Sequence, residues 1–434
     1  MAHDTRSLRQ DFALMATPWT DDSIVPGNRW DLLDGVEPRE LPMVSVIVAH
    51  YRQPVELART LIALARQDYE RDRLQIIVTD DGSPELPEVP DDVVLVSQVD
   101  AGFRLAAARN LGAAHEAGDV LVFLDADTVP EPGFVRALTR LPALAPDCVT
   151  VGRRRHADLD GLPVDVGIEA AVHGRVLPEP AWLVRAYAES KNLLEADDRS
   201  YRFVIGAVLA CSRHLFDEVG GFDESFTEYG GEDWEWAYRA WTRGAMLAHE
   251  PTAVAWHHGP DAGVRSAGRR AGKNAETMRL ADLIPVPGSR PRGLRPRKAD
   301  IVVCDRIEGH SDAARFVSID ACVAGVPGAE QLVHGAETSP RFDRVRLEIE
   351  VLSPLRVMGD GLAQAVLRVS TAGLGSLVLT DALGVPLLRI RSRRADARST
   401  RWGRFDLFPT EELVAPWLQP LDDDVDLEAY LGGW

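Results

Sequence analysis

The chain has 434 residues, is 45% hydrophobic and 26% charged, and carries a formal net charge of −19. That length implies two domains, and the acidic excess excludes a nucleic-acid partner, which would need a basic footprint. The start, Met1 to Gln10, is polar, no run of about 18 apolar residues occurs, and Cys148, Cys211, Cys304 and Cys322 lack zinc or disulfide spacing, so no signal peptide, no transmembrane segment and a cytoplasmic location are expected.

Residues 1–40 read as an N-terminal arm, with Trp19 and Trp30 as packing anchors. Residues 43–48 form a first strand, and 55–65 carry apolar residues at a helical period. A second strand over 74–78 ends in the turn Asp80-Asp81-Gly82-Ser83. Residues 93–97 are a short strand and 105–117 a helix stopped by Gly118. The run Val120-Leu121-Val122-Phe123-Leu124 is a buried parallel strand. Strand and helix thus alternate over 43–128, the pattern of a parallel sheet covered by helices. Arg153-Arg154-Arg155 reads as a solvated loop, with an anionic ligand as the sharper alternative. Residues 203–210 read as a strand containing Gly206, and 213–220 as a short helix. Residues 285–299, rich in Pro, Gly and Arg, read as a linker between a domain at 41–284 and an α/β lobe at 300–434. The order of elements in that lobe echoes the first domain. Residues 363–381 parallel 106–127 loosely, with Leu383 standing where Asp127 stands.

Two acidic clusters carry the chemistry. Asp125-Ala126-Asp127 follows the apolar strand, where α/β sheets bind ligands, and its paired carboxylates suit a hard divalent cation that grips a diphosphate. Gly230-Gly231-Glu232-Asp233 opens an amphipathic helix anchored by Trp234, Ala237, Tyr238 and Trp241. There the helix dipole favours carboxylates, as a general base facing a sugar hydroxyl requires. Alone, each cluster also fits an ordinary turn or an acidic first helical turn.

Taken in order, these motifs resemble the GT-A glycosyltransferases of inverting family 2, in particular the chondroitin-polymerase-type and β-1,4-galactosyltransferase-like domains. The residues that carry the resemblance are Val44-Ser45-Val46-Ile47-Val48-Ala49-His50-Tyr51, Asp80-Asp81-Gly82-Ser83, Gly102 through Gly112, Asp125-Ala126-Asp127, Gly230-Gly231-Glu232-Asp233 and Ala255-Trp256-His257-His258. It covers about residues 43–260. It implies an α/β fold with a Rossmann-like, mostly parallel GT-A sheet, the C-terminal lobe being a degenerate second domain of that kind if the echo is a true repeat.

It also implies roles. The donor would be bound by the loop Ala49-His50-Tyr51, by Asp81 at the nucleobase, by Arg109, by Asp125 on the ribose side and by Tyr229 at the sugar. Asp127 and His257 would hold Mn²⁺ or Mg²⁺, with His258 the competing imidazole; Glu232 would hold the acceptor and Asp233 would be the base. The expected reaction moves a sugar from a nucleoside-diphosphate donor, UDP-linked by resemblance, to a glycan, peptide or small-molecule hydroxyl. Ala49-His50 and Arg52 depart from the Pro-Thr and Asn of the family's donor loop. Two other readings compete. A sugar nucleotidyltransferase would need a glycine-rich phosphate loop where His50-Tyr51-Arg52-Gln53-Pro54 stands. A non-catalytic carbohydrate-binding scaffold would not need both acidic clusters.

Overall fold

The computed structural model describes residues 23–260 and 269–433, so Trp19 lies outside the described residues. The first sheet holds β1 (Val44–His50), β2 (Leu74–Asp80), β3 (Val94–Ser97), β4 (Val120–Asp125), β5 (Thr128–Pro130), β6 (Cys148–Ala157), β7 (Val176–Leu177), β8 (Val208–Ser212) and β9 (Met246–His258). Their order is β3-β2-β1-β4-β8-β6-β9-β5, with β7 beside β6. The strands from β3 to β4 are parallel, and β8 is antiparallel to both β4 and β6. The chain winds outward from β1 to β3, then returns to β4 on the other side of β1. Such a reversal opens a crevice at the carboxyl ends of the strands. β1 is buried on both faces, as its unbroken apolar run predicts.

Two expectations are corrected here. The strand expected at 203–210 begins at Val208, after a 3₁₀ turn at Ser200–Phe203. The Gly206 N–H is spent on Asp233, not on a strand neighbour. The arginine triplet is not a solvated loop: it lies inside β6, paired parallel with β9.

The second sheet holds β10 (Ile301–Asp305), β11 (Ala329–Gln331), β12 (Leu347–Val351), β14 (Ser376–Thr380), β15 (Pro386–Ser392) and β16 (Thr410–Val414), while β13 (Leu355–Val357) and β17 (Leu418–Pro420) form a separate ribbon. Its order is β11-β10-β12-β15-β14-β16. The run β11-β10-β12-β15 pairs parallel, parallel, antiparallel, as β2-β1-β4-β8 does. The counterpart of β4 is therefore β12, not β14 as the sequence echo suggested. β12 leads into Leu352-Ser353-Pro354, with no carboxylate, and Leu383 sits on an exposed turn.

The two sheets are joined by buried charge. Asp147 accepts hydrogen bonds from Arg398 Nε at 2.8 Å, Arg401 Nη1 at 2.5 Å and Trp402 Nε1 at 2.7 Å. Arg346 spans Asp300 and Asp198, and Arg344 reaches Glu235. The arm takes part: Val25 and Leu33 pack on the first lobe with Trp30, and Ile24 packs with Leu407 and Phe408 of the second. The segment 285–299 is held too. Val286 closes the first core, Ala299 enters the second, and Lys298 binds Asp343 at 2.7 Å.

Candidate active site

The parallel strands deliver their chemistry at one edge. Ala49, next to the end of β1, stands opposite Asp125 of β4, and the Ala126 N–H donates to its carbonyl at 3.0 Å. His50 is buried: one ring nitrogen lies 2.8 Å from Asp80 and the other accepts the Gln53 N–H at 3.2 Å. Its imidazole thus shapes the loop from within. Tyr51 is partly exposed, under the Arg52 guanidinium at 4.8 Å. Asp81 accepts from Gln98 Nε2 at 2.5 Å and from the Arg104 N–H at 2.8 Å, and desolvation raises its pKa. Tyr229 is 67% exposed and packs on Phe103 at 5.8 Å between ring centroids.

Beyond β4, Asp127 Oδ2 lies 3.5 Å from His257 Nε2 and accepts from Gln53 Nε2 at 3.2 Å. Strand alternation separates the two histidines of β9. His257 turns to Asp127, whereas His258 accepts the Leu159 N–H at 3.2 Å and lies 3.4 Å from Asp160. A carboxylate oxygen and an imidazole nitrogen suit Mn²⁺ or Mg²⁺ by donor type. Two ligand atoms each about 2.1 Å from one cation sit roughly 3–4 Å apart, a span the Asp127–His257 separation fits. Burial raises the Asp127 pKa, with Asp125 adding to it, and lowers that of His257.

The second cluster starts helix Glu232–Thr242. Gly231 caps it at φ +95°, a left-handed conformation that favours glycine, and a Cβ there would also press Phe226 at 3.1 Å. Arg109, buried, joins the clusters: Nη2 donates to Asp125 at 2.9 Å and Nη1 to Glu232 at 2.8 Å. Burial works against its charge, but the two carboxylates prevail and its pKa is raised. Gly206 permits this approach, since a Cβ there would meet Arg109 Nη1 at 2.7 Å. Asp233 accepts the Gly206 N–H at 3.0 Å and the Trp234 N–H at 2.8 Å. Glu232 Oε2 is buried without a hydrogen-bond partner. Desolvation raises the pKa of both Glu232 and Asp233, and for Glu232 the neighbouring Asp233 charge comes next. Arg109, shared with Asp125, does not offset two adjacent carboxylates, Glu232 buried and Asp233 half-buried.

Sequence reasoning missed the surroundings of this pair. Trp234, beside Asp233, meets Trp182 edge-on at 6.5 Å, and Trp182 lies 6.4 Å from Phe203. Trp182 is exposed, in helix Ala181–Glu189. The Gln53 contact to Asp127 was missed as well. No periodicity marks Trp182, Phe203 or Gln53 for this place; only the fold gathers them.

With that geometry in place, the comparisons are specific. Residues 45–214 match Glycosyl transferase family 2, and residues 195–253 match the N-terminal domain of galactosyltransferase. Residues 45–214 are thus a glycosyltransferase domain similar to those of family 2. The chondroitin synthase of Escherichia coli is 28% identical over 297 residues, 61% of this chain and 42% of that protein. Validoxylamine A glucosyltransferase of Streptomyces hygroscopicus subsp. jinggangensis (strain 5008) is 31% identical over 231 residues, 48% of this chain and 53% of that one. The chain therefore spans about half or less of these relatives. A mannosyltransferase from Pyrobaculum calidifontis, solved with GDP-Man and Mn²⁺, is 22% identical at a TM-score of 0.40, covering 57% of this chain and 63% of that one. Among the described residues, no helix is long and apolar enough to cross a membrane.

Proposed function

We propose that this chain is a divalent-metal-dependent, inverting glycosyltransferase. It moves a sugar from a nucleoside-diphosphate donor, UDP-linked in the first instance, to a hydroxyl of a glycan, peptide or small molecule. One observation carries the reading: two acidic clusters, Asp125/Asp127/His257 and Glu232/Asp233, are locked together by Arg109 at 2.9 and 2.8 Å. A reacting sugar between them meets a base on one side and a cation site on the other.

Asp127 and His257 would hold the metal, which when bound offsets the charge of the departing diphosphate. The other roles belong to the protein's own groups. Ala49, Tyr51, Asp81, Arg109, Asp125 and Tyr229 line the donor path. Glu232, whose Oε2 lacks a partner, accepts a hydrogen bond from the acceptor. Asp233 takes the attacking hydroxyl's proton as the new glycosidic bond forms and the bond to diphosphate breaks. Its raised pKa makes it a better base than an ordinary aspartate. Trp182, Phe203 and Trp234 flank the acceptor's approach with apolar faces.

The test is a panel of nucleotide-sugars, read as released nucleoside diphosphate with Mn²⁺ and with EDTA, followed by NMR of the product's anomeric centre. Metal-dependent release with inversion is expected. Release that ignores EDTA, or retention of configuration, overturns the reading.

A further inference from the structure

The arginine triplet of β6 is sorted by the strand. Arg153 and Arg155 share one face. Arg153 binds Glu179 at 2.6 Å, and the Arg155 guanidinium lies 4.1 Å from the Trp256 ring centroid. Successive strand residues point to opposite faces, so Arg154 occupies the other. That face belongs to the candidate site. His156, two residues on, sets its ring 5.1 Å from that of His257. The pairing of β6 with β9 places Arg154 opposite Ala255 and His156 opposite His257, so Arg154 stands one pleat from the His257 imidazole. The Arg154 charge acts in the same sense on Asp127, Asp233 and Tyr229, favouring their ionised forms, and disfavours a second proton on His257. Strand pairing thus sets Arg154 on the face of β6 that carries the His257 side of the candidate site, within reach of a diphosphate held there.

We propose that Arg154 is a catalytic residue that donates hydrogen bonds to the donor's diphosphate and stabilises it as it leaves. This rests on the glycosyltransferase reading above and adds to it a second cation, supplied by the chain itself. As the anomeric carbon–oxygen bond breaks, its electron pair passes to the terminal phosphate oxygen. The guanidinium fork faces that growing charge without giving up a proton, since it stays protonated throughout. Four carboxylates, Asp125, Asp127, Glu232 and Asp233, would otherwise repel an anionic donor, and the Arg109 guanidinium is already spent on two of them.

The experiment uses the full chain with Arg154→Gln and Arg154→Lys. UDP and uridine are titrated with Mn²⁺, transfer is split into kcat and KM, and thermal unfolding is recorded. Arg154→Gln should weaken UDP about ten-fold or more, the worth of a charged hydrogen bond, and leave uridine unchanged. Its kcat should fall about a hundred-fold, as on loss of one transition-state donor. Arg154→Lys should recover part of both. If Arg154→Gln binds UDP and turns over like the parent, or if UDP and uridine weaken equally, the inference is wrong. Should Arg154→Gln fail to fold, Arg154→Lys decides: a folded lysine variant with parent UDP affinity and parent kcat refutes a role for the fork. A parent that binds no nucleoside diphosphate with Mn²⁺ removes the glycosyltransferase reading itself, a distinguishable failure.

Discussion

The two faces of helix Glu232–Thr242 treat carboxylates in opposite ways. On the front, Glu232 has half of one guanidinium, that of Arg109, and Asp233 accepts from the Gly206 and Trp234 N–H groups. On the back, Glu235 is fully buried between Arg239 at 2.8 Å and Arg344 of the second lobe. Asp147 is likewise clasped by Arg398 and Arg401. Glu235 and Asp147 thus each meet two guanidinium groups. The carboxylates of the front are left short, and their raised pKa values record it. On the proposed reading, that shortfall at Glu232 and Asp233 suits groups that take up a proton.

The comparison can be broken from behind first. A fragment ending at Lys298 removes Arg344, Arg346, Arg398 and Arg401 together and leaves Glu235, Asp198 and Asp147 without those partners. Each uncompensated buried charge costs about 3–5 kcal/mol. We expect the fragment to be insoluble or unfolded by circular dichroism. A soluble, cooperatively melting fragment would show that the back face is only decorated. Arg344→Ala alone, a smaller break, should cost about 3–5 kcal/mol in chemical denaturation.

The front is probed by Asp233→Asn. Transfer should drop roughly a hundred-fold or more through loss of the base, with donor affinity retained. Parent-rate transfer by this variant, with Glu232→Gln inactive, would exchange their roles. Activity should also carry an acid limb. Asp233 works ionised, and its raised pKa means it takes up a proton above the ordinary Asp range of about 3.9. Lowering the pH through that raised value should therefore extinguish kcat/KM, and a profile flat down to pH 4 would contradict it. The smallest effect expected is a several-fold rise in acceptor KM for Trp182→Ala, with donor hydrolysis unchanged; equal changes in both would detach Trp182 from the acceptor.

The strand ends were legible because an apolar run closing on Asp80 or Asp125 is a local pattern. So was the glycine pair before Glu232. The strand at Cys148–Ala157 was not, since three arginines interrupt its apolar run and their alternation is silent until β9 is set beside them. That His257 turns to Asp127 and His258 to Asp160 is likewise a matter of strand parity. Arg109 and Glu232 lie 123 residues apart, and nothing local announces their pairing. In the second lobe, Ser376–Thr380 resembles β4 in sequence, yet pairing gives that place to Leu347–Val351. Apolar strands look alike, and their neighbours are chosen by the whole sheet.

The division of labour across the site is tested most directly by calorimetric titration of UDP, with and without Mn²⁺, into the parent, Asp127→Ala and Asp233→Asn. We predict that Asp127→Ala loses the Mn²⁺-dependent part of UDP binding while Asp233→Asn keeps it and is inactive in transfer. Mn²⁺-dependent binding that survives in Asp127→Ala, or disappears in Asp233→Asn, would contradict the account.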